Sequence, residues 1–190
     1  KEPYEYLIKR IEQFKGGQSN PTYKITTDTK SLVLRRKPPG KLLPSAHAVD
    51  REYKVISALY ETDVPVPKTY GLCEDESIAG TAFFVMDFLD GDIYWNPMLP
   101  SLKKEDRIKI YSSKNKTLAA LHSVDYKKVG LGDYGKPGNY VSRQIARWSR
   151  QYKASETDNI DAMNNLIKWL PENIPNDDET SIVHGDFRLD

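Results

Sequence analysis

Apolar and polar positions change their period near residue 90. Before it, Tyr23-Lys-Ile-Thr26 and Ser31-Leu-Val-Leu-Arg-Arg36 flank the polar turn Thr27-Asp-Thr-Lys30, the pattern of an antiparallel hairpin. Pro38-Pro-Gly40 breaks the second run. From Ser45, an N-cap type of residue, Val49, Glu52, Tyr53, Ile56 and Leu59 recur three and four apart and predict an amphipathic helix. Its inner stripe therefore contains a carboxylate. Val64-Pro-Val-Pro67 is expected to end this helix, because proline lacks the amide donor and disfavours helix in the residue before it. Two more strands are expected over 69–73 and 82–88, separated by the acidic turn Glu74-Asp-Glu76.

The second half reads as helices. Residues 104–122 place Ile108, Tyr111, Leu118 and Leu121 on a helical period, and 140–152 and 160–170 are two further candidates. A last short strand, Ser181-Ile-Val183, leads into the final residues. The order is a strand-rich lobe, residues 1–89, then a joint over 87–91, then a helical lobe, residues 90–190. This predicts α+β architecture with two lobes and a cleft between them, the first lobe an antiparallel sheet with one helix. Gly91 supplies backbone freedom at the joint.

Composition narrows the classes. The 28 Lys+Arg against 27 Asp+Glu leave a net charge of +1, without the basic excess that phosphate neutralisation on a nucleic acid demands. With 38% hydrophobic residues the 190-residue chain can build a core, so it is expected to fold. The longest nearly apolar run, Thr81-Ala-Phe-Phe-Val-Met86, is far short of the roughly 20 residues of a membrane helix. The charged start Lys1-Glu-Pro-Tyr-Glu5 is not a signal-peptide core, although the chain does not begin with Met. The single Cys73 forms no internal disulfide and suits a reducing compartment, so a cytoplasmic location is expected.

The chemistry concentrates in a few places. His184-Gly-Asp186 follows a short apolar run, as does the catalytic loop of phosphoryl-transfer enzymes; three residues alone also arise by chance. Phe14-Lys-Gly-Gly-Gln-Ser-Asn20 precedes the hairpin, where glycines let backbone N–H groups approach an anion and Ser19 adds a donor, although a plain turn is the commoner meaning. Alternation puts Val33 and Arg35 on one face of their strand, an apolar wall beside a cation. Glu52 needs a cation if its helix face is buried, and Arg35 is the natural partner; at the stripe's edge it would simply be solvated. Phe84-Val-Met-Asp-Phe-Leu89 is a buried strand that runs into the joint.

Arg143, Arg147 and Arg150 share one face of a helix and Ile145, Trp148 and Tyr152 another. Such a basic face is most often solvated, but it also suits an acidic group. Tyr94 and Trp95, just after the joint, either line a substrate cleft or pack the lobes. His122, at a helix end, reads as a cap or dipole partner, and His47 has no metal-ligand spacing around it. No third ligand is spaced to join His184 and Asp186 around a metal.

Taken together, the Gly-Gly-Gln-Ser-Asn loop, the Leu-Arg-Arg-Lys-Pro strand, the Arg-Glu-Tyr helix, the Val-Met-Asp-Phe joint, the Leu-Ala-Ala-Leu-His helix and the His-Gly-Asp-Phe-Arg-Leu-Asp loop resemble the aminoglycoside phosphotransferase-like small-molecule kinases, whose fold is protein-kinase-like. Leu34-Arg-Arg-Lys-Pro-Pro-Gly-Lys-Leu-Leu-Pro-Ser-Ala-His47 and Arg143-Gln-Ile-Ala-Arg-Trp148 are most similar to the branch fused to, or encoded beside, acyl-CoA dehydrogenases, which phosphorylates 4-hydroxyacyl-CoA. The resemblance implies that Asp186 is the catalytic base and that His184 shapes its loop. It implies that Arg35 holds the phosphates of ATP, that Glu52 orients Arg35, and that Gly17, Ser19 and Asn20 cover the phosphates. Asp87 and Leu89 would bond the adenine through their backbones with Met86 behind it, and Arg143, Arg147, Tyr94 and Trp95 would meet the substrate.

The strand carries Arg35 where the family usually has Lys, with Arg36 and Lys37 close by. The family's magnesium ligands, an Asn after the catalytic loop and a later Asp, fall beyond residue 190, so a chain ending there is expected to hold no Mg2+ in the family's manner and to be inactive by itself. The expected partners are a small-molecule substrate and a fused or neighbouring acyl-CoA dehydrogenase, with no nucleic acid and no membrane. An aminoglycoside or amino-alcohol kinase of the same fold, and a nucleotide-binding domain without catalysis, are the alternatives.

Overall fold

The computed structural model describes residues 7–15, 20–40, 47–176 and 179–189. Five strands, β1 (Ile8–Gln13), β2 (Thr22–Thr27), β3 (Ser31–Arg36), β4 (Thr69–Cys73) and β5 (Phe83–Asp87), form one antiparallel sheet in the order β1-β2-β3-β5-β4. The β2–β3 hairpin is closed by Thr27, whose hydroxyl donates to the Lys30 carbonyl (2.8 Å) and accepts from the Lys30 N–H (3.0 Å).

Register sorts the side chains. Thr22 lies opposite Arg35, Lys24 opposite Val33, Val33 opposite Met86 and Arg35 opposite Phe84, so these six residues share one face. Helix α1 (Val49–Leu59) packs against β4 and β5, with the Tyr53 and Phe84 ring centroids 6.0 Å apart. Phe84 and Val49 are fully buried there, and Leu59 and Val64 are buried beside them. The stripe read from the sequence thus seats α1 and delivers Glu52 to the sheet.

Several expectations are corrected. Helix α1 stops at Leu59, well before the prolines, because the Thr62 hydroxyl takes the Leu59 carbonyl (2.6 Å) and caps the chain reversal. Ser45 lies outside the described residues. Strand β1 was not expected: Ile8 and Ile11 are three apart, all six of its residues are exposed, and β2 rather than an apolar face fixes its pairing. The acidic turn contains the short helix α2 (Glu76–Ala79), begun by Asp75, which accepts from the Ser77 N–H (2.9 Å), and ended by Gly80 at φ 79°. Residues 181–183 form no strand, because none of the described residues supplies a ladder partner.

The helices α3 (Lys104–Ser123), α4 (Tyr140–Ser155) and α5 (Asp161–Glu172) lie where the periodicity puts them. On α3 only Leu121 is buried, while Ile108 and Tyr111 are exposed, so the expected stripe is right in period and only partly right in burial. None of the described helices is long and apolar enough to cross a membrane. The chain divides into two compact units, Lys1–Val124 with Val183–Asp190, and Asp125–Ile182. The first holds the sheet, α1, α2, α3 and the His184–Asp186 loop; the second holds α4 and α5.

Candidate active site

The Arg35–Glu52 pair forms as expected. Arg35 Nε donates to Glu52 Oε2 and Arg35 Nη2 to Glu52 Oε1 (3.2 Å), a side-on fork that uses both carboxylate oxygens. Arg35 Nη1 donates to Thr22 Oγ1 (2.9 Å), whose hydroxyl donates to the Asn20 carbonyl (3.0 Å). The pair is half-buried, which weakens solvent screening without a large desolvation penalty. Arg36 turns to the other side of the sheet, where its Nε donates to Thr81 Oγ1 (3.0 Å). Of the two arginines, Arg35 is therefore the one on the α1 face.

Asn20 is buried, and its side chain meets Glu52 and His47: Nδ2 donates to Glu52 Oε1 (2.8 Å), and Oδ1 faces His47 Nδ1 at 3.0 Å. Gly17 and Ser19, expected to cover phosphates, lie outside the described residues.

At the end of β5, Met86 stands beside Val33, while the Asp87 carboxylate accepts from the Tyr70 hydroxyl (2.6 Å) and Lys30 Nζ donates to that same hydroxyl (2.6 Å). Burial and the hydrogen bond to Asp87 push the Tyr70 hydroxyl above its ordinary pKa, against an opposing pull from Lys30, so Tyr70 keeps its proton and donates it. The Asp87 N–H donates to the Lys68 carbonyl (2.9 Å). Leu89 is exposed at the end of this segment. Phe88 stacks on Phe14 (centroids 6.3 Å apart), and Lys24 Nζ lies 3.7 Å from its centroid.

The loop after α5 turns at Gly185, at φ 84°, a conformation a side chain would oppose. The Asp186 N–H donates to His184 Nδ1 (3.3 Å), so His184 braces the turn with an unprotonated ring nitrogen. The Asp186 side chain is 78% exposed, and Arg188 Nε lies 3.7 Å from its Oδ1. A carboxylate held by one turn and open to solvent can accept a proton from an incoming hydroxyl. The rings of His184 and Phe187 are 5.4 Å apart, and Lys114 Nζ on α3 lies 5.6 Å from the Phe187 centroid. The Tyr94 N–H donates to the Leu189 carbonyl (3.1 Å), which ties the segment after the joint to this loop. Trp95 is exposed.

In the second unit, Arg143 donates through Nη1 to the Gly138 carbonyl and through Nη2 to the Lys136 carbonyl (2.6 Å), fixing the loop that enters α4. Arg147 is exposed on the same helix, and Arg150 Nε reaches the Ala146 carbonyl (3.3 Å). Among the described residues no group of three or more His, Cys, Asp or Glu side chains is arranged to hold a metal.

Sequence reasoning missed the Thr22, His47, Tyr70 and Lys30 partners. Thr22 alternates with Lys24 on β2 and was findable from the cross-strand pattern. The others lie 17 to 40 residues from the groups they act with, and nothing local marks them.

A family model described as a phosphotransferase enzyme family matches residues 10–190. The chain is 50% identical over 178 residues to acyl-CoA dehydrogenase family member 10 of Mus musculus, covering 94% of the chain and 17% of that protein. It is 44% identical over 181 residues to acyl-CoA dehydrogenase family member 11 of Homo sapiens, covering 95% and 23%. The chain thus spans less than a quarter of the length of these relatives. A crystal structure of a candidate aminoglycoside phosphotransferase from Ralstonia eutropha superposes with a TM-score of 0.85 at 53% identity, over 95% of this chain and 53% of that one. The GDP complex of an aminoglycoside 2'-phosphotransferase-IIIa superposes with a TM-score of 0.59 at 13% identity, over 87% and 53%, and shows a shared α+β fold.

Proposed function

Because the chain belongs to the phosphotransferase enzyme family, we propose that it supplies the nucleotide site and catalytic loop of an ATP-dependent kinase acting on the hydroxyl of a small molecule, a 4-hydroxyacyl-CoA. The observation that carries the reading is the Arg35–Glu52 fork across β3 and α1, in the same compact unit as Asp186. Such a fork presets a guanidinium for phosphate oxygens and spares the ligand the cost of ordering it.

In the proposed reaction the substrate oxygen attacks the γ-phosphorus, the bond from that phosphorus to the β,γ-bridging oxygen breaks, and ADP leaves. The hydroxyl proton passes to Asp186, whose exposure leaves room for an acceptor. Arg35 neutralises phosphate charge, and Gly17, Ser19 and Asn20 are the further phosphate contacts that the family resemblance implies. The Asp87 carbonyl and Leu89 N–H take the adenine edge in front of Met86. Mg2+, when bound, would supply charge neutralisation at the phosphates, held by the Asn and Asp that the family resemblance puts after the catalytic loop.

The acyl-CoA assignment draws on the names of the relatives and on the basic residues Arg143 and Arg147 of α4, with Tyr94 and Trp95 after the joint. The Ralstonia eutropha neighbour favours a second reading, an aminoglycoside as acceptor. A polycationic acceptor wants clustered carboxylates, whereas α4 offers arginines. The complete protein, given ATP and a panel of hydroxylated acceptors, is expected to phosphorylate 4-hydroxyacyl-CoA and to leave kanamycin-type acceptors unmodified. The reverse preference, read by mass spectrometry of the products, would replace the first reading with the second.

A further inference from the structure

We propose that Asn20 and His47 are positioning residues that lock Glu52 Oε1 and thereby aim the Arg35 guanidinium at the nucleotide. The proposal rests on the ATP-binding reading above. It assigns the Asn20 side chain to the ion pair and leaves the Asn20 backbone to the phosphates.

The directions of the hydrogen bonds follow from what each group can do. Ionised Glu52 only accepts, so the Asn20 atom 2.8 Å from Oε1 is the amide nitrogen. The Asn20 oxygen then faces His47 Nδ1 at 3.0 Å, and because that oxygen only accepts, His47 must carry its proton on Nδ1. A single directed chain results: His47 donates to Asn20, Asn20 to Glu52, and Arg35 to Glu52 through two nitrogens.

Two features mark this as more than a surface contact. Asn20 is only 4% exposed, so its amide is committed to these partners and is costly to leave unpaired. His47 sits at φ 60°, a left-handed conformation that a non-glycine residue adopts at a cost in strain, just ahead of α1. The strain is retained where the backbone turn puts the imidazole within reach of Asn20. Without the amide donor, Glu52 keeps, among the described residues, the two bonds from Arg35. Small misplacements of a charge-neutralising group are expensive in phosphoryl transfer.

The test uses the complete protein with ATP as the probe, affinity read by calorimetry, and thermal melting run alongside. Asn20→Ala is expected to weaken ATP about tenfold and His47→Ala about threefold, with the acceptor KM unchanged. His47→Gln, which restores a donor, should recover most of the affinity. Asn20→Asp keeps the volume and the bond to His47 but loses the donor to Glu52, so it should weaken ATP at least as much as Asn20→Ala and decides the matter if the alanine variant does not fold. In the Glu52→Gln background, adding Asn20→Ala should cause little further loss. Additive losses would mean that Asn20 touches the phosphates itself, and wild-type affinity in both single variants would mean that the chain of bonds is only structural; either result overturns the proposal. A wild-type protein that does not bind ATP would instead overturn the kinase reading and this inference with it.

Discussion

Alternation along β3 sends Arg35 to the α1 face and Arg36 to Thr81 on the other, and this parity is what made Arg35 readable as the partner of Glu52. Glu52 was readable for a related reason, since a carboxylate within an apolar helical stripe requires a partner. The same logic could not reach His47, because a turn at φ 60° and a contact with Asn20, 27 residues away, leave no periodic trace. Arg and Lys are not equivalent at such a position: a guanidinium grips both carboxylate oxygens and still presents N–H groups beyond them. Arg35→Ala is therefore expected to raise the KM for ATP about tenfold or more. Arg36→Ala should leave that KM unchanged and lower stability by about 1 kcal/mol through the lost Thr81 bond. Steady-state kinetics and denaturant titration of the two variants separate these outcomes; equal effects on KM would mean that parity on β3 has been misread.

Elements differ in how much of themselves the sequence displays. Strands β2 and β3 and helix α1 bury a face and so carry a period, whereas β1 buries none and borrows its register from β2. Residues 181–183 show the converse, apolar enough for a strand yet without a partner among the described residues. Beside the β4–β5 ladder stands a contact invisible to pattern, the Tyr70 hydroxyl between Asp87 and Lys30. Tyr70→Phe is expected to cost about 1 kcal/mol of stability and to loosen the joint, read as a modest rise in the KM for ATP. The hydroxyl's pKa is raised in the folded protein, so the folded state holds that proton more tightly than the unfolded chain. The contribution is complete below the ordinary tyrosine pKa of about 10 and is lost as pH rises through the raised value. Stability of the wild type should thus fall more steeply above pH about 10 than that of Tyr70→Phe. Parallel curves would show that the bond contributes nothing.

At the scale of the molecule, the chain carries two compact units and spans less than a quarter of its dehydrogenase-named relatives, which places the substrate question outside most of what the fold itself decides. The α+β fold class was legible because the strands β2 and β3 and the helices each carry a local period. The acceptor was not: Arg143 proves to be tied to the carbonyls of Lys136 and Gly138, and a basic stripe on α4 reads the same whether it meets solvent or a ligand. The proposed reaction turns on Asp186 taking the proton of an acceptor hydroxyl while ATP is held from the sheet. The most direct measurement is γ-phosphate transfer from ATP to 4-hydroxyacyl-CoA by the complete protein and by its Asp186→Asn variant, with ATP affinity measured on both. The variant should bind ATP as the wild type does and lose about a thousandfold in kcat. Undiminished transfer by Asp186→Asn would contradict the account.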